Sequence, residues 1–165
     1  MSKLIAAMNI TLDGYCDHRD GVVSAELHDY YTEQIKNAGV LLYGRITYQL
    51  MEDAWPEMLK NPTGVKSLDD FAKAIDGVPK IVFSNTLTHL NWHSSALATR
   101  SLQHEVTALK QEMEKDIMVG SPSLIAQLTR LGLVDEFRIC IHPFIAGSGP
   151  VLFKDITEKV KLNLI

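Results

Sequence analysis

The chain has 165 residues, of which 46% are hydrophobic and 22% are charged, a balance that is typical of one globular domain with a buried core. Its formal net charge of -4 at pH 7 does not provide the basic face with which a nucleic-acid-binding protein displaces counterions from phosphates. No apolar stretch approaches the roughly 20 residues of a membrane-spanning helix, and residues 1–8 are too short and too soon interrupted for a signal peptide. Cys16 and Cys140 lack the number and spacing of a disulfide framework or a metal site, which predicts free thiols in a reducing, cytoplasmic compartment.

The first part of the chain predicts a strand, a helix and a second strand. Residues 4–10 form an apolar run that ends in a turn at residues 13–14, as a strand does. Ser24 can cap a helix whose apolar residues recur at helical spacing. Gly39 would end that helix in the left-handed conformation, and residues 40–43 then form a short buried strand.

The middle of the chain predicts a second helix, a surface loop, a third helix and two short strands. The second helix runs to about residue 51, and residues 56–65 contain two prolines and a glycine, which indicates a loop. Ser67 opens a Ser-Leu-Asp-Asp stretch that resembles a capping box at the start of a short helix. The short strands are predicted at residues 80–83 and 96–99.

The next segment predicts a helix, a strand and another helix. Apolar residues recur at helical spacing between residues 102 and 113, and residues 117–119 form a buried strand. Ser121 can then cap a helix that has Pro122 at its first position and that stops at Gly132.

Two further strands are predicted near the C-terminus, a long apolar one at residues 137–145 and an alternating edge strand at residues 160–165. Helices that alternate with short apolar runs favour an α/β fold with a mostly parallel central sheet and helices on both faces. Because few helices separate the last strands, the C-terminal edge of the sheet is predicted to be antiparallel. The chain has no internal repeat or linker, so residues 1–165 are predicted to form a single domain.

Small polar residues follow three of the predicted strands, and open α/β sheets bind ligands at that edge. At residues 44–47, a glycine, an arginine and the N-terminus of a helix favour an anion. Residues 84–86 could hold a ribose phosphate or satisfy their own backbone, and residues 120–123 could cradle a pyrophosphate. Neither a Gly-x-Gly-x-x-Gly nor a Walker sequence is present. The candidate cofactor-binding residues at these turns are Gly44, Arg45, Thr47, Ser84, Asn85, Thr86, Gly120, Ser121, Ser123 and Leu124.

The order of these segments resembles the dihydrofolate-reductase-like family, with a Gly-Arg-x-Thr element at residues 44–47. The later part of the chain is similar to the reductase domain of the riboflavin-biosynthesis deaminase-reductases and to its stand-alone relatives. That similarity is carried by Gly-Leu-Val-Asp-Glu-Phe at residues 132–137, His-Pro at residues 142–143, Gly-Ser-Gly at residues 147–149 and Leu-Phe at residues 152–153. The resemblance covers essentially the whole chain.

The resemblance implies a three-layer fold and an NADPH-dependent reductase that acts on a small heterocycle, either pterin- or folate-like or ribosylaminopyrimidine-like. It implies that the three turns hold NADPH and that Ala7, Leu12 and Gly14 lie near the nicotinamide. Pro122 removes one donor N–H from the pyrophosphate turn. Relatives carry one more strand after the position of Ile165, and an uncovered sheet edge favours a partner, so the chain is predicted to be a homodimer.

A reductase of an imine-like bond needs an acid beside the nitrogen that gains a proton. In dihydrofolate reductases a carboxylate on the helix before the Gly-Arg-x-Thr strand fills this role. Here that helix begins with Glu26, His28 and Asp29 among its first residues. Glu26 is the first candidate and His28 the second, although acidic residues in a first helical turn also suit the helix dipole alone.

Two other interpretations of the sequence remain open. One is a dinucleotide-binding or sensing module without turnover, because the sequence does not single out a proton donor. The other is a hydrolase that uses a metal at Asp13, Asp17, His18 and Asp20, although their spacing matches no known ligand pattern and no metal ligand is predicted. Trp55 and Trp92 could line a ring-binding cleft.

Overall fold

The computed structural model describes residues 2–19, 21 and 24–165. Within them, six strands form one sheet and five helices cover it. The elements are β1 Leu4–Thr11, α1 Ala25–Asn37, β2 Ala38–Gly44, α2 Arg45–Lys60, α3 Lys66–Gly77, β3 Lys80–Phe83, β4 Ser95–Leu97, α4 Leu102–Glu112, β5 Asp116–Val119, α5 Pro122–Arg130 and β6 Glu136–His142. No helix in these ranges is long and apolar enough to cross a membrane.

The strands lie in the order β4-β3-β2-β5-β1-β6, and every neighbouring pair is parallel. The carboxyl ends of all six strands therefore meet at one edge of the sheet. The antiparallel C-terminal edge predicted from the sequence is not present, because β6 runs parallel to β1 from the Ile5–Glu136 pair to the Thr11–His142 pair. In the described part of the chain, antiparallel pairing outside the named strands is limited to one bridge, Tyr15–Val151.

The buried core lies on both faces of the sheet, as predicted. Alternate residues of β1, β2 and β5 point to opposite faces, because successive side chains of a strand do so. One face carries α4 and α5 and the other carries α1, α2 and α3. The first cluster includes Leu4, Ala6, Val40, Leu42, Val106, Ile117, Val119, Leu124, Ile125 and Leu128. The second includes Ala7, Ile35, Leu41, Tyr43, Tyr48, Phe71, Ile75, Val82 and Met118.

Two predicted helix boundaries are confirmed by their caps. The hydroxyl of Ser24 accepts a hydrogen bond from the backbone N–H of Leu27 at 3.2 Å, at the start of α1. Helix α5 begins at Pro122, and Gly132, with φ of 65°, takes the left-handed conformation just after it. Glycine adopts this conformation without the penalty that a Cβ imposes.

Gly39 is not a helix cap, contrary to the prediction. It is the second residue of β2, and α1 ends at Asn37. A Cβ on Gly39 would lie 2.5 Å from Cε of Met113 and 3.0 Å from Cβ of Lys115. Glycine here makes room for the connection between α4 and β5, which passes close to it, and this steric cause leaves no local signature in the sequence.

The predicted loop at residues 56–65 is wrong for its first part, because α2 continues through Pro56 to Lys60. Met51 and Trp55 pack against the second core cluster, and this packing outweighs the backbone hydrogen bond that a proline removes.

The predicted capping box is also wrong. Ser67 is buried inside α3 and does not cap it. Instead the Asp69 carboxylate accepts hydrogen bonds from the backbone N–H groups of Thr63 and Gly64, at 2.8 and 3.0 Å. These bonds fix the path of the chain into the helix.

The C-terminal strands differ from the prediction in extent. The strand expected at residues 137–145 is β6, which ends at His142. Residues 160–165 form no strand, and the side chains of Leu164 and Ile165 are fully or almost fully exposed. The alternating apolar residues there pair with no strand in the described part of the chain.

Candidate functional site

A large cleft opens at the edge of the sheet where the parallel strands end. Its volume is about 1300 Å³, above the roughly 300–1,000 Å³ of most small-molecule pockets. The three turns predicted to bind a cofactor come together in it. The predicted residues that line the cleft are Gly44, Arg45, Thr47, Ser84, Asn85, Thr86, Gly120, Ser123 and Leu124, together with His28 and Trp55.

The first and third turns are joined directly. Ser121 lies at the N-cap position of α5, but its hydroxyl does not cap the helix. The Ser121 Oγ instead accepts a hydrogen bond from the buried backbone N–H of Gly44 at 2.9 Å. A Cβ on Gly44 would lie 3.4 Å from the Ser123 Oγ, so the two turns are in close contact at this point. Ser121 is buried below the cleft lining, and its role in the structure is to hold the two turns together.

Two helix N-termini in the cleft carry no side-chain cap. Helix α2 starts after Gly44, which has no side chain to offer. Helix α5 starts after Ser121, whose hydroxyl is engaged elsewhere. The first backbone N–H groups of a helix have no partner within it, so those of Ser123 and Leu124 are open to a ligand. Uncapped N–H groups and the positive end of the helix dipole favour an anion.

The turn after β3 is partly self-satisfied. The Ser84 Oγ accepts hydrogen bonds from the backbone N–H groups of Thr86 and Leu87, at 3.2 and 3.0 Å. This is the backbone role that the sequence left open for Ser84. Asn85 and Thr86 are exposed in the cleft lining.

Arg100 also lines the cleft, and sequence reasoning missed it. It follows β4 and precedes Ser101, which caps α4 through a hydrogen bond from the backbone N–H of His104. Arg45 was singled out by the glycine before it and by its place at a helix start, whereas Arg100 stands before the cap of its helix and has no such glycine, so the same pattern did not find it.

Three residues predicted to lie near a nicotinamide are outside the cleft lining. Ala7 is buried in β1, with its carbonyl oxygen 3.7 Å from the position of a Cβ on Gly120. Leu12 is 65% exposed, and its N–H donates to the Phe144 carbonyl at 2.9 Å. Gly14 has φ of 89°, which a turn at this point requires.

The proton-donor candidates separate on helix α1. The His28 ring lies in the cleft lining, whereas Glu26 is exposed and is not part of it. Neighbouring helical residues point in different directions, so both could not face one cleft. The His28 ring makes edge contacts with Trp55 and Phe71, with centroid distances of 6.1 and 5.6 Å, and its Nδ1 lies 3.2 Å from the Ser24 carbonyl oxygen.

A pair of polar side chains that the sequence did not reveal lies beside His28. The Tyr31 hydroxyl donates to Oδ1 of Asn9 at 2.8 Å, and both residues line the cleft. Burial raises the pKa of Tyr31 well above its usual value, so its hydroxyl remains a neutral donor. The two residues are 22 positions apart, and no local motif connects them.

The acidic loop after β1 is held by its own hydrogen bonds. Asp13 accepts from the Thr11 hydroxyl at 2.6 Å and from the N–H groups of Ala146 and Gly147 at 3.1 and 2.8 Å. Asp17 accepts from Nε of Arg19 at 2.9 Å, and this contact lowers the pKa of Asp17. Asp20 lies outside the described residues. Within them, no group of three or more His, Cys, Asp or Glu side chains could hold a metal ion.

A parallel α/β sheet commonly binds ligands in a cleft at its carboxyl edge, and in this chain two uncapped helix N-termini face that cleft. The family described as the RibD C-terminal domain matches residues 2–165. The chain therefore belongs to the RibD C-terminal domain family, and its fold is dihydrofolate-reductase-like, as the sequence resemblance implied.

Two proteins of Bacillus subtilis are similar to almost the whole chain. The protein YyaP of Bacillus subtilis (strain 168) is 29% identical over 167 residues, which cover 99% of this chain and 86% of YyaP. YwjB of the same organism is 24% identical, over 98% of this chain and 88% of YwjB.

Solved structures share the fold. A Shewanella sp. PV-4 protein assigned to riboflavin biosynthesis superposes with a TM-score of 0.72 and 20% identity, over 99% of this chain and 89% of that one. The diaminohydroxyphosphoribosylaminopyrimidine deaminase/5-amino-6-(5-phosphoribosylamino)uracil reductase of Thermotoga maritima superposes with a TM-score of 0.64 and 19% identity, over 99% of this chain and 51% of that one.

Proposed function

We propose that this protein is an NADPH-dependent reductase that transfers a hydride to a small heterocyclic acceptor. The observation that carries the proposal is the convergence of the turns after β2, β3 and β5 in one cleft. Family membership supports it, as does the reductase activity in the name of the Thermotoga maritima protein. The acceptor is a pterin- or folate-like ring or a ribosylaminopyrimidine-like ring.

The residues in the cleft fit a dinucleotide phosphate. The uncapped N–H groups of Ser123 and Leu124 suit the pyrophosphate, although Pro122 at the head of the same helix offers none. Arg45 lies beside the uncapped start of α2 and donates to Gln49 at 3.1 Å. Arg100 lies in the same lining as the turn after β3 and suits the 2′-phosphate that distinguishes NADPH from NADH.

When bound, NADPH supplies the hydride, and the protein has to position the reacting groups and exclude water. We assign the accompanying proton to His28. Its Nδ1 lies within hydrogen-bond distance of the Ser24 carbonyl, which holds the ring when Nδ1 carries a hydrogen. Nε2 then faces the ligand, and it donates the proton when the ring is in its doubly protonated imidazolium form. Glu26, the other candidate, is exposed outside the cleft lining.

We further propose that two copies of the chain associate through the β6 side of the sheet. β6 lies at the edge of the sheet order, and an edge strand presents unpaired backbone groups. Large apolar side chains are exposed on and after this strand, namely Ile141, Ile145, Val151 and Phe153. Light scattering at micromolar concentration should give the mass of a dimer, and a monomeric mass would contradict the proposal.

The free thiols of Cys16 and Cys140 favour a cytoplasmic setting.

One observation favours an alternative, a dinucleotide-binding or sensing module without turnover. In dihydrofolate reductases the corresponding helix provides a carboxylate, whereas here Glu26 lies outside the cleft lining. The consumption of NADPH, followed at its nicotinamide absorbance with pterin, dihydrofolate and aminopyrimidine acceptors, distinguishes the two. Acceptor-dependent oxidation of NADPH establishes the reductase. Tight binding of NADPH without oxidation by any of these acceptors would favour the module.

A further inference from the structure

The part of the cleft between β1 and helices α1 to α3 has a chemistry of its own. Three aromatic rings contact one another there, since the Trp55 and Phe71 centroids are 4.4 Å apart and the His28 ring meets both. We call these three residues the ring cluster. All of them line the cleft. Aromatic faces bind flat ligands by offset stacking and edge contacts.

A hydrogen-bond donor lies in the same part of the cleft. The Asn9 Oδ1 accepts from the Tyr31 hydroxyl, which leaves the Asn9 side-chain NH₂ group without a partner among the described residues. An amide nitrogen offers two N–H donors. A ring carbonyl or ring nitrogen of a heterocycle is the complementary acceptor.

The positively charged side chains of the cleft lie away from the ring cluster, after other strands. Among the described residues that line it there is no lysine, and the arginines are Arg45 and Arg100, which follow β2 and β4. The β1 side contributes the Asp17 carboxylate to the lining, and the nearby Arg19 directs its Nε and one NH₂ group to that carboxylate. The first turn of α1 carries Glu26, which opposes anion binding at that helix N-terminus.

A phosphate on the acceptor would need charge-assisted donors, and no arginine or lysine is among the described residues that line this side of the cleft. We infer that the acceptor is a flat nitrogen heterocycle without a phosphate group, held against the ring cluster and accepting a hydrogen bond from Asn9. This inference rests on the proposed function and refines it, because it separates pterin-like acceptors from phosphoribosylated pyrimidines.

Riboflavin and its 5′-phosphate, FMN, form a matched pair of probes, because they share one ring system and differ by a phosphate. Their binding can be followed by flavin fluorescence in the presence of saturating NADP⁺, which occupies the phosphate-binding turns. Riboflavin should bind at least as tightly as FMN. The Trp55→Leu variant should weaken the binding of both by about tenfold, because a stacked aromatic pair contributes on the order of that factor, whereas Trp55→Phe should retain most of it.

Asn9→Ala should also weaken the binding of riboflavin by about fivefold, because one neutral hydrogen bond contributes on that scale. The matched control is Asn37→Ala, because Asn37 ends α1 outside the cleft lining and bonds to the Glu33 carbonyl.

A titration of NADP⁺ on the same samples separates this inference from the proposed function. Loss of riboflavin binding in Trp55→Leu with unchanged NADP⁺ binding supports the inference. Tenfold tighter binding of FMN, weakened by added salt, would overturn it, and so would failure of both flavins to bind a protein that binds NADP⁺. Failure of NADP⁺ to bind would refute the proposed function instead, whatever the flavins do.

Discussion

The hydroxyl of Ser121 accepts a hydrogen bond from the backbone N–H of Gly44 at 2.9 Å, across 77 positions of the chain. The bond connects the ends of β2 and β5, which are neighbours in the sheet. It also takes the Ser121 side chain away from the first turn of α5, where a serine would ordinarily cap the helix. One contact therefore both fixes the spacing of two turns and leaves the N–H groups of Ser123 and Leu124 open.

Replacing Ser121 with alanine should destabilise the protein and weaken NADPH binding. The Gly44 N–H is buried, and a buried donor left without its partner costs about 1–3 kcal/mol. We expect a fall in Tm of a few degrees, measured by calorimetry, and weaker NADPH binding by titration. Ser123→Ala is the control for stability, because Ser123 is exposed. An unchanged Tm in Ser121→Ala would show that the bond does not hold the turns together.

Gly39→Ala should be destabilising by about 1 kcal/mol, the low end of the usual scale of overpacking, because the tip of the Met113 side chain can move aside. The added Cβ would meet Cε of Met113 at 2.5 Å and Cβ of Lys115 at 3.0 Å. Urea unfolding measures the effect. Met113→Ala in the same chain should relieve part of it, which a double-mutant cycle would show as coupling.

Gly77→Ala is the matched control for this substitution, because nothing lies within 4 Å of a Cβ there. A similar loss of stability in both glycine variants would contradict the steric explanation.

A fall in pH should destabilise the loop after β1, because Asp13 becomes protonated. The Thr11 hydroxyl and the N–H groups of Gly147 and Ala146 lower the pKa of Asp13 to about 2. A carboxyl whose pKa is lower in the folded state contributes stability above its unfolded pKa, and that stability is lost as the pH falls through the folded pKa. The loss should therefore occur between about pH 4 and pH 2.

The comparison of wild type with Asp13→Asn tests this expectation by Tm measurements from pH 6 to pH 2. The variant should be less stable at pH 6, and the difference should shrink as the pH approaches 2. Asp53→Asn, which changes an exposed carboxylate of α2, should follow the wild type throughout. A difference between wild type and Asp13→Asn that stays constant with pH would contradict the account.

Replacing His28 with asparagine should lower kcat by a hundredfold or more, since general acids contribute roughly 10²–10⁴-fold. NADPH affinity should change little, because His28 contacts Trp55 and Phe71 rather than the three turns. The matched control is Glu26→Gln on the same helical turn. Steady-state kinetics with an accepted substrate measures kcat for both variants. Loss of kcat in Glu26→Gln together with a fully active His28→Asn would reverse the assignment.

The sequence predicted the parts of this structure that depend on neighbours in the chain. The strand ends at residues 83 and 119, and the Ser24 cap, follow local rules of periodicity and capping, and β2 ends one residue beyond the predicted residue 43. The failures depend on distant contacts. Gly39 looks like a helix cap but lies in β2, close to Met113 and Lys115, and Pro56 looks like a helix breaker and lies inside α2.

The candidate site shows the same division. The turns were found because each places small polar residues after an apolar run. Asn9 and Tyr31 were missed because only the tertiary structure brings them together. The sequence does not show whether Glu26 or His28 faces the cleft, because that depends on which face of α1 packs against Trp55 and Phe71.

The most direct test of the account is a titration of the purified protein with NADPH and with NADH, followed by tryptophan quenching and nicotinamide emission. Charge-assisted hydrogen bonds contribute about 1.5–3 kcal/mol each. NADPH should therefore bind roughly ten- to a hundredfold more tightly than NADH. Arg100→Ala should reduce this preference, whereas Arg130→Ala, at the far end of α5, should not. Equal affinity for the two nucleotides, or binding of neither, would contradict the assignment of the cleft as an NADPH site.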